Sequence, residues 1–168
     1  GENTRVLVVD DEEIVRESLG GWLQEDGFQV SSAPEGRTAV EMMKRDRWNV
    51  MLVDLKMPGM DGLQVLEEAR KLQPEAAIIM MTAYATVDTA VTAMKLGAFD
   101  YLVKPFDPEE LSLLMQKVVA QQSLVRENAV LRKALKKEHR FRDLVSKSAA
   151  MQRVFELAQV AARSNSTI

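Results

Sequence analysis

Three aspartates, a threonine and a lysine occupy equivalent places along this chain. Asp10 with Asp11, Asp54, Thr82 and Lys104 each follow a short apolar run: Val6-Leu7-Val8-Val9, Val50-Met51-Leu52-Val53, Ile78-Ile79-Met80-Met81 and Tyr101-Leu102-Val103. Runs of this length, rich in β-branched residues and separated by helical patterns, read as buried parallel strands. Ligands of an open α/β sheet sit outside the carboxyl ends of its strands, so these five side chains should converge. Carboxylates suit a hard cation such as Mg²⁺, which takes one or two of them together with phosphate and water. A carboxylate can also accept a phosphoryl group as an aspartyl phosphate, provided that a metal and a lysine offset the charge of the incoming anion. Asp54 is the best acceptor, because it ends the central run and the turn Met57-Pro58-Gly59-Met60-Asp61-Gly62 follows it. Asp11 is expected to hold the metal directly and Asp10 mostly through water. Lys104 balances charge, and the Thr82 hydroxyl reports the new phosphoryl oxygens.

Each residue alone has a plainer reading. An aspartate after a strand commonly caps the next helix, Thr82 could do the same, and Lys104 before Pro105 could be a surface residue. The conjunction of suitable types at four strand ends is what favours chemistry. Lys56 and Tyr84, two residues past Asp54 and Thr82, are expected to flank the phosphoryl group and hinder water.

The matching segments are Val8-Val9-Asp10-Asp11-Glu12, Leu52 through Gly62, Met81-Thr82-Ala83 and Phe99 through Phe106. On these the chain resembles a response-regulator receiver domain of bacterial two-component signalling, over roughly the first 120 residues. The resemblance implies a doubly wound five-stranded parallel α/β sheet (flavodoxin-like, order 2-1-3-4-5) and Asp54 as the phosphoacceptor. It also implies Mg²⁺ on Asp10, Asp11, Asp54 and the Lys56 backbone carbonyl, with Thr82 and Tyr101 as switch residues and Lys104 in the catalytic set. The implied partner is a sensor histidine kinase.

Composition agrees. The chain has 168 residues, a net charge of −3 and no cysteine. That excludes disulfides and thiolate metal sites and gives no bulk electrostatic case for nucleic-acid binding. No apolar stretch approaches a membrane span of ~20 residues and no secretory signal precedes the first strand, so the expected location is cytoplasmic. Gly1 reads as a trimmed terminus or tag remnant. The expected elements are a strand over 5–9 and a helix over 13–25 whose Ile14, Leu19, Trp22 and Leu23 form one stripe, ended by Gly27. A short edge strand over 28–30 and a helix opened by Ala33-Pro34 and running to Arg45 come next. Helices near 63–72 and 86–95 follow, the latter closed by Gly97.

The fifth helix starts well at Asp107-Pro108-Glu109-Glu110, and no proline or glycine follows it. Leu111, Leu114, Met115, Val118 and Val119 can cover the sheet. Beyond them Leu124, Asn128, Leu131 and Leu135 fall at steps of four, three and four, a d-a-d-a seam. Asn at an a position favours a parallel two-stranded coil, so a homodimer is expected, with an exposed single helix as the alternative. Lys133, Lys136, Lys137, Arg140 and Arg142 surround the lone His139, which has no second ligand near it for a metal. That run reads first as a solvated helix face and second as a contact for an acidic partner. The segment from Leu144 resembles the opening of the ATPase domain of NtrC-type activators, which work with sigma-54 RNA polymerase, and a strand is expected near Ser166-Thr167-Ile168. No G-x-x-x-x-G-K-[ST] occurs.

The organisation read from sequence is therefore a receiver over 1–120, a coiled-coil linker over 121–143 and an ATPase stub over 144–168. The chain is expected to accept phosphate on itself and to lose it by autodephosphorylation, without ATPase activity or a specific DNA site of its own. ATP, promoter DNA and sigma-54 polymerase belong to the full-length protein. A stand-alone phosphoester hydrolase using the same aspartate, and a constitutive dimerisation module with a vestigial site, are the competing classes.

Overall fold

A computed structural model of the chain describes residues 3–164, with side chains as far as Val145. The strands are β1 (Arg5–Val9), β2 (Gln29–Ala33), β3 (Val50–Asp54), β4 (Ala77–Thr82) and β5 (Asp100–Val103). The helices are α1 (Glu13–Glu25), α2 (Gly36–Arg45), α3 (Gly62–Leu72), α4 (Val87–Lys95) and α5 (Pro108–Ser164). All strand pairs are parallel and the order is β2-β1-β3-β4-β5. Strand and helix alternate because each apolar run fits a pleat covered on both faces, and each covering helix is the crossover that parallel pairing requires.

Alternation along the strands divides the core between the two faces. Leu7, Val9, Met51 and Val53 point to one side, where Ala39 and Met43 of α2, Val65, Leu66 and Ala69 of α3 and Ala93 of α4 cover them. Val6, Val8, Val50 and Leu52 point to the other, against Leu19 and Leu23 of α1 and Leu111, Leu114, Met115 and Val118 of α5. Each large aliphatic chain so buried stabilises the fold by about 1.5–3 kcal/mol.

Three expectations need correction. Ile14 is not on the buried stripe of α1: it is 71% exposed, and Leu19 and Leu23 carry the contact. The second strand runs to Ala33, and α2 begins at Gly36 rather than at Ala33-Pro34. Ala33 pairs with Val9 in the ladder, and an edge strand tolerates the polar Ser31 and Ser32 that made it look short. The run ending at Val103 is no buried strand either, since β5 is the opposite edge and its side chains are half-buried or exposed. Gly27 and Gly97 do end their helices, each at positive φ, where an L side chain is strained.

Contacts divide the chain into one unit over residues 1–119 and a second over 120–168. The second unit is helical as far as Ser164, so the helix expected from 107 to at least 137 is present and longer. The strand expected near Ser166 lies outside the described residues.

Gly62 fixes where α3 meets the end of β3. Its N–H donates to the Leu55 carbonyl oxygen at 2.9 Å, and a Cβ placed there would land on the Asp54 carbonyl oxygen and 2.7 Å from Leu55 Cα. Both obstacles are backbone, so nothing flexible can yield. Gly62→Ala should therefore lower unfolding stability in urea by about 1–3 kcal/mol. Gly21→Ala, on the exposed face of α1 with nothing within 4 Å of the added atom, should instead raise it by about 0.5–1 kcal/mol. Equal effects at the two sites would show that the close approach at Gly62 does not constrain the loop.

Candidate phosphoryl-transfer site

The sheet order reverses between β1 and β3, whose outgoing connections lead to opposite neighbours. A crevice opens at the carboxyl ends of two such strands, and Asp10 and Asp54 stand there. Asp10 is fully buried and its backbone N–H donates to the Ala33 carbonyl at 3.2 Å. One carboxylate oxygen, Oδ1, accepts the Glu12 N–H at 2.9 Å. The other, Oδ2, accepts a hydrogen bond from Lys104 Nζ at 2.7 Å. The same ammonium lies 3.4 Å from Asp54 Oδ1. One lysine thus reaches an aspartate 94 positions earlier in the chain. The Lys104–Pro105 bond is cis, and the Lys104 N–H donates to the Thr82 carbonyl at 2.8 Å, extending the β4–β5 pairing.

Thr82 is buried at the end of β4, and its Oγ1 accepts the Tyr84 N–H at 3.0 Å. The Tyr101 hydroxyl lies 3.1 Å from Thr89 Oγ1. Thr89 belongs to the capping box that starts α4 with Thr86. Lys56 Nζ sits 4.6 Å above the Tyr84 ring centroid, a cation–π contact between the two residues expected to flank the site. The simple capping readings do not hold: Asp61 caps α3, Thr86 caps α4, and α1 has no side-chain cap.

Electrostatics follow from this crowding. Burial, and next the negative charge of Asp10, push the Asp54 carboxyl up from 3.8 to about 6 against the opposing pull of Lys104. Burial works against the Lys104 ammonium, but its hydrogen bond to and attraction by Asp10, with a further contribution from Asp54, hold its pKa above the ordinary lysine value. Carboxylate oxygens of Asp10, Asp11 and Glu12 all lie within 4.8 Å of one another. Asp10, Asp11, Glu12 and Asp54 outnumber the cations at the site, which are Lys104 and Arg16, whose guanidinium donates to the Asp10 carbonyl at 2.6 Å, and the ligand atoms these acids offer are oxygen. That set fits a hard divalent cation. Glu12 stood in the matching segment without a role. Its nearness to Asp10 and Asp11 depends on the turn into α1, which no side-chain pattern announces.

The raised carboxyl has a consequence for stability. An acid whose folded pKa exceeds its unfolded one penalises the folded state as pH rises through that interval, fully above about 6. A displacement of about two units bounds that penalty at about 3 kcal/mol. With a chelator present, Asp54→Asn should be more stable than the parent by about 1–2 kcal/mol near pH 8, and the gain should shrink towards zero near pH 4. Denaturant titrations at the two pH values measure it. A gain independent of pH would mean that ionisation of Asp54 is not its source.

Comparison with known proteins gives these residues a context. The response regulator receiver domain family matches residues 6–116. Regulatory protein AtoC of Escherichia coli (strain K12) is 41% identical over 147 residues, 88% of this chain and 32% of AtoC. The chain thus spans about a third of that relative's length. Among solved structures, NtrX from Brucella abortus superposes with a TM-score of 0.73 at 31% identity, over 78% of this chain and 30% of NtrX. The response regulator TrrA from Thermotoga maritima, solved in complex with Mg(2+)-BeF, superposes at 0.63 with 36% identity, over 68% of this chain and 98% of TrrA. With its parallel sheet and its buried aspartates joined by a lysine, the chain belongs to the response regulator receiver domain family.

Proposed function

We propose that this receiver accepts a phosphoryl group on Asp54 from the phosphohistidine of a sensor histidine kinase and passes the change to a transcription-activating motor. The observation that carries the reading is Lys104, whose ammonium joins the buried Asp10 to Asp54 across two strands of the sheet. An Asp54 carboxylate oxygen attacks phosphorus, a P–O bond forms, the P–N bond of the donor breaks, and its imidazole leaves with a proton. Lys104 offsets the charge that builds on the phosphoryl oxygens. Asp10, Asp11, Asp54 and the Lys56 carbonyl, with Glu12 close by, are the residues that would hold Mg²⁺. The cation, when bound, neutralises the acidic cluster and the phosphoryl oxygens. Thr82 Oγ1 would turn from the Tyr84 N–H to a phosphoryl oxygen, and Tyr101 would change its contact with Thr89 at the start of α4. Phosphorylation then biases two arrangements of these loops. The stacked Lys56 and Tyr84 side chains restrict the approach of water and lengthen the life of the acyl phosphate.

A stand-alone hydrolase would need a pocket for its substrate's leaving group, and the motif set argues for signalling instead. Regulation of an ATPase, sigma-54 polymerase and promoter DNA is proposed for the longer protein on the resemblance of residues 144–168 to the start of an NtrC-type motor, and a role in transcription also on a relative named transcriptional regulatory protein ZraR, of Escherichia coli O157:H7. Leu124, Leu131 and Leu135 are more than half exposed on a single chain. Pairing them with a second copy around Asn128 would bury them.

Incubation with acetyl phosphate and Mg²⁺, followed by intact-mass spectrometry, should show one phosphate that is absent from Asp54→Asn and reduced in Asp10→Asn. The adduct should decay faster in Tyr84→Ala. An undiminished adduct in Asp54→Asn would remove that residue as acceptor. For the linker, Leu131→Asp or truncation after Gln121 should turn a sedimenting dimer of the unphosphorylated chain into a monomer. A tight dimer in both variants would place association on the receiver faces.

A further inference from the structure

The net charge of −3 conceals a strong segregation. Residues 1–119 hold 21 acids and 12 bases, whereas residues 121–143 hold seven bases and three acids. Within that helical stretch Lys133, Lys136, Lys137 and Arg140 follow at steps of three, one and three, which one helical face collects. Their side chains adjoin one another along the helix. All four residues are exposed, and none forms an ion pair among the described residues, where Arg142 with Glu138 is the pair nearest in sequence. At about 100° per residue these cations centre opposite the Leu124, Leu131 and Leu135 seam. Dimerisation through that seam would leave them outward on both copies.

We propose that this outer face of α5 binds the phosphodiester backbone of nucleic acid without reading its sequence. Lysine is depleted in protein–protein interface cores, which need aromatic or aliphatic anchors. Between Lys133 and Arg140 this face carries no apolar side chain, and Leu144 follows one turn beyond. Lysine and arginine on a helix face without base-reading Asn or Gln between them are what phosphate positioning uses. The four span about 10 Å of helix, and duplex DNA presents one charge per about 1.7 Å of its axis, so several phosphates fall within reach. Repulsion by the acidic receiver is screened beyond a Debye length of about 8–10 Å at physiological salt. Binding should accordingly be weak, in the ordinary non-specific range of about 10⁻⁴–10⁻⁶ M, and steeply dependent on salt.

Fluorescence anisotropy with labelled duplexes of about 20 base pairs, two unrelated sequences, titrated with the full chain between about 50 and 200 mM KCl, tests it. Both duplexes should bind alike. Lys133→Gln/Lys136→Gln/Lys137→Gln/Arg140→Gln should weaken binding at about 50 mM at least tenfold and flatten the log–log salt slope by about 3 per copy. Glutamine keeps helix propensity, and unchanged circular dichroism confirms that the helix survives. Lys44→Gln/Lys71→Gln, on the receiver surface, should bind like the parent. Absence of binding at the lowest salt, equal loss in the receiver variant, or an unaffected quadruple variant would overturn the proposal. So would a tenfold preference for one duplex, or capture by phosphatidylglycerol vesicles in place of DNA.

Discussion

A buried carboxylate must find a counter-charge, and in this protein that requirement ties the ends of the sheet together. Asp10 has lost contact with water at the end of β1. It is held there by the Glu12 N–H and the Lys104 ammonium. An unpaired charge at that depth costs several kcal/mol, so Lys104 cannot leave without a substitute. Lys104 is itself placed by the last strand, and through it β5 is bound to β1 although two other strands lie between them. Asp54 enters the same arrangement shut off from water and beside the Asp10 charge, and these two effects, burial first, raise its carboxyl against the pull of Lys104. The site is thus stable enough to fold and short of positive charge, a condition that a divalent cation relieves.

The loops that carry Thr82, Tyr84 and Tyr101 are organised less firmly. Their hydroxyls and amides satisfy one another at single hydrogen bonds: Tyr84 N–H on Thr82, and Tyr101 on Thr89. Thr89 is also a member of the capping box of α4, so the ring of Tyr101 and the start of that helix share a hydroxyl. Only Ala93 of α4 is buried, and Val87, Val91 and Met94 are exposed. Few buried contacts and an exchangeable cap are what a low-energy rearrangement requires. The strongly packed centre, β3 with both its neighbours, has no such freedom.

Charge is partitioned along the chain as sharply as packing is. Residues 1–119 carry an excess of acids, and the stretch beyond Ala120 an excess of bases. Net charge averages these away, and a whole-chain value says little about what either part meets.

Much of this was legible in sequence because parallel strands buried on both faces are continuous apolar runs, and a run's end marks a fixed place in the fold. Asp10, Asp54, Thr82 and Lys104 could be picked out on that ground, and so could the order of elements and the helix start at Asp107, whose carboxylate accepts the Glu110 N–H at 2.9 Å. Edges were misread, because β2 and β5 each lack a neighbour on one side and need not be apolar throughout: Ser31 and Ser32 hid part of β2, and Leu102 and Val103 made β5 look buried. Ile14 kept a helical spacing but turned to solvent, a choice made by the rotation of α1 on the sheet and not by periodicity. Tertiary structure alone decided the distances. That Lys104 reaches Asp10 more closely than Asp54, that Glu12 joins the acidic cluster, that Lys56 stacks on Tyr84, and that Gly62 has no room for a methyl group all depend on how separate loops approach one another. Sequence names the groups, and only packing sets the ångströms between them.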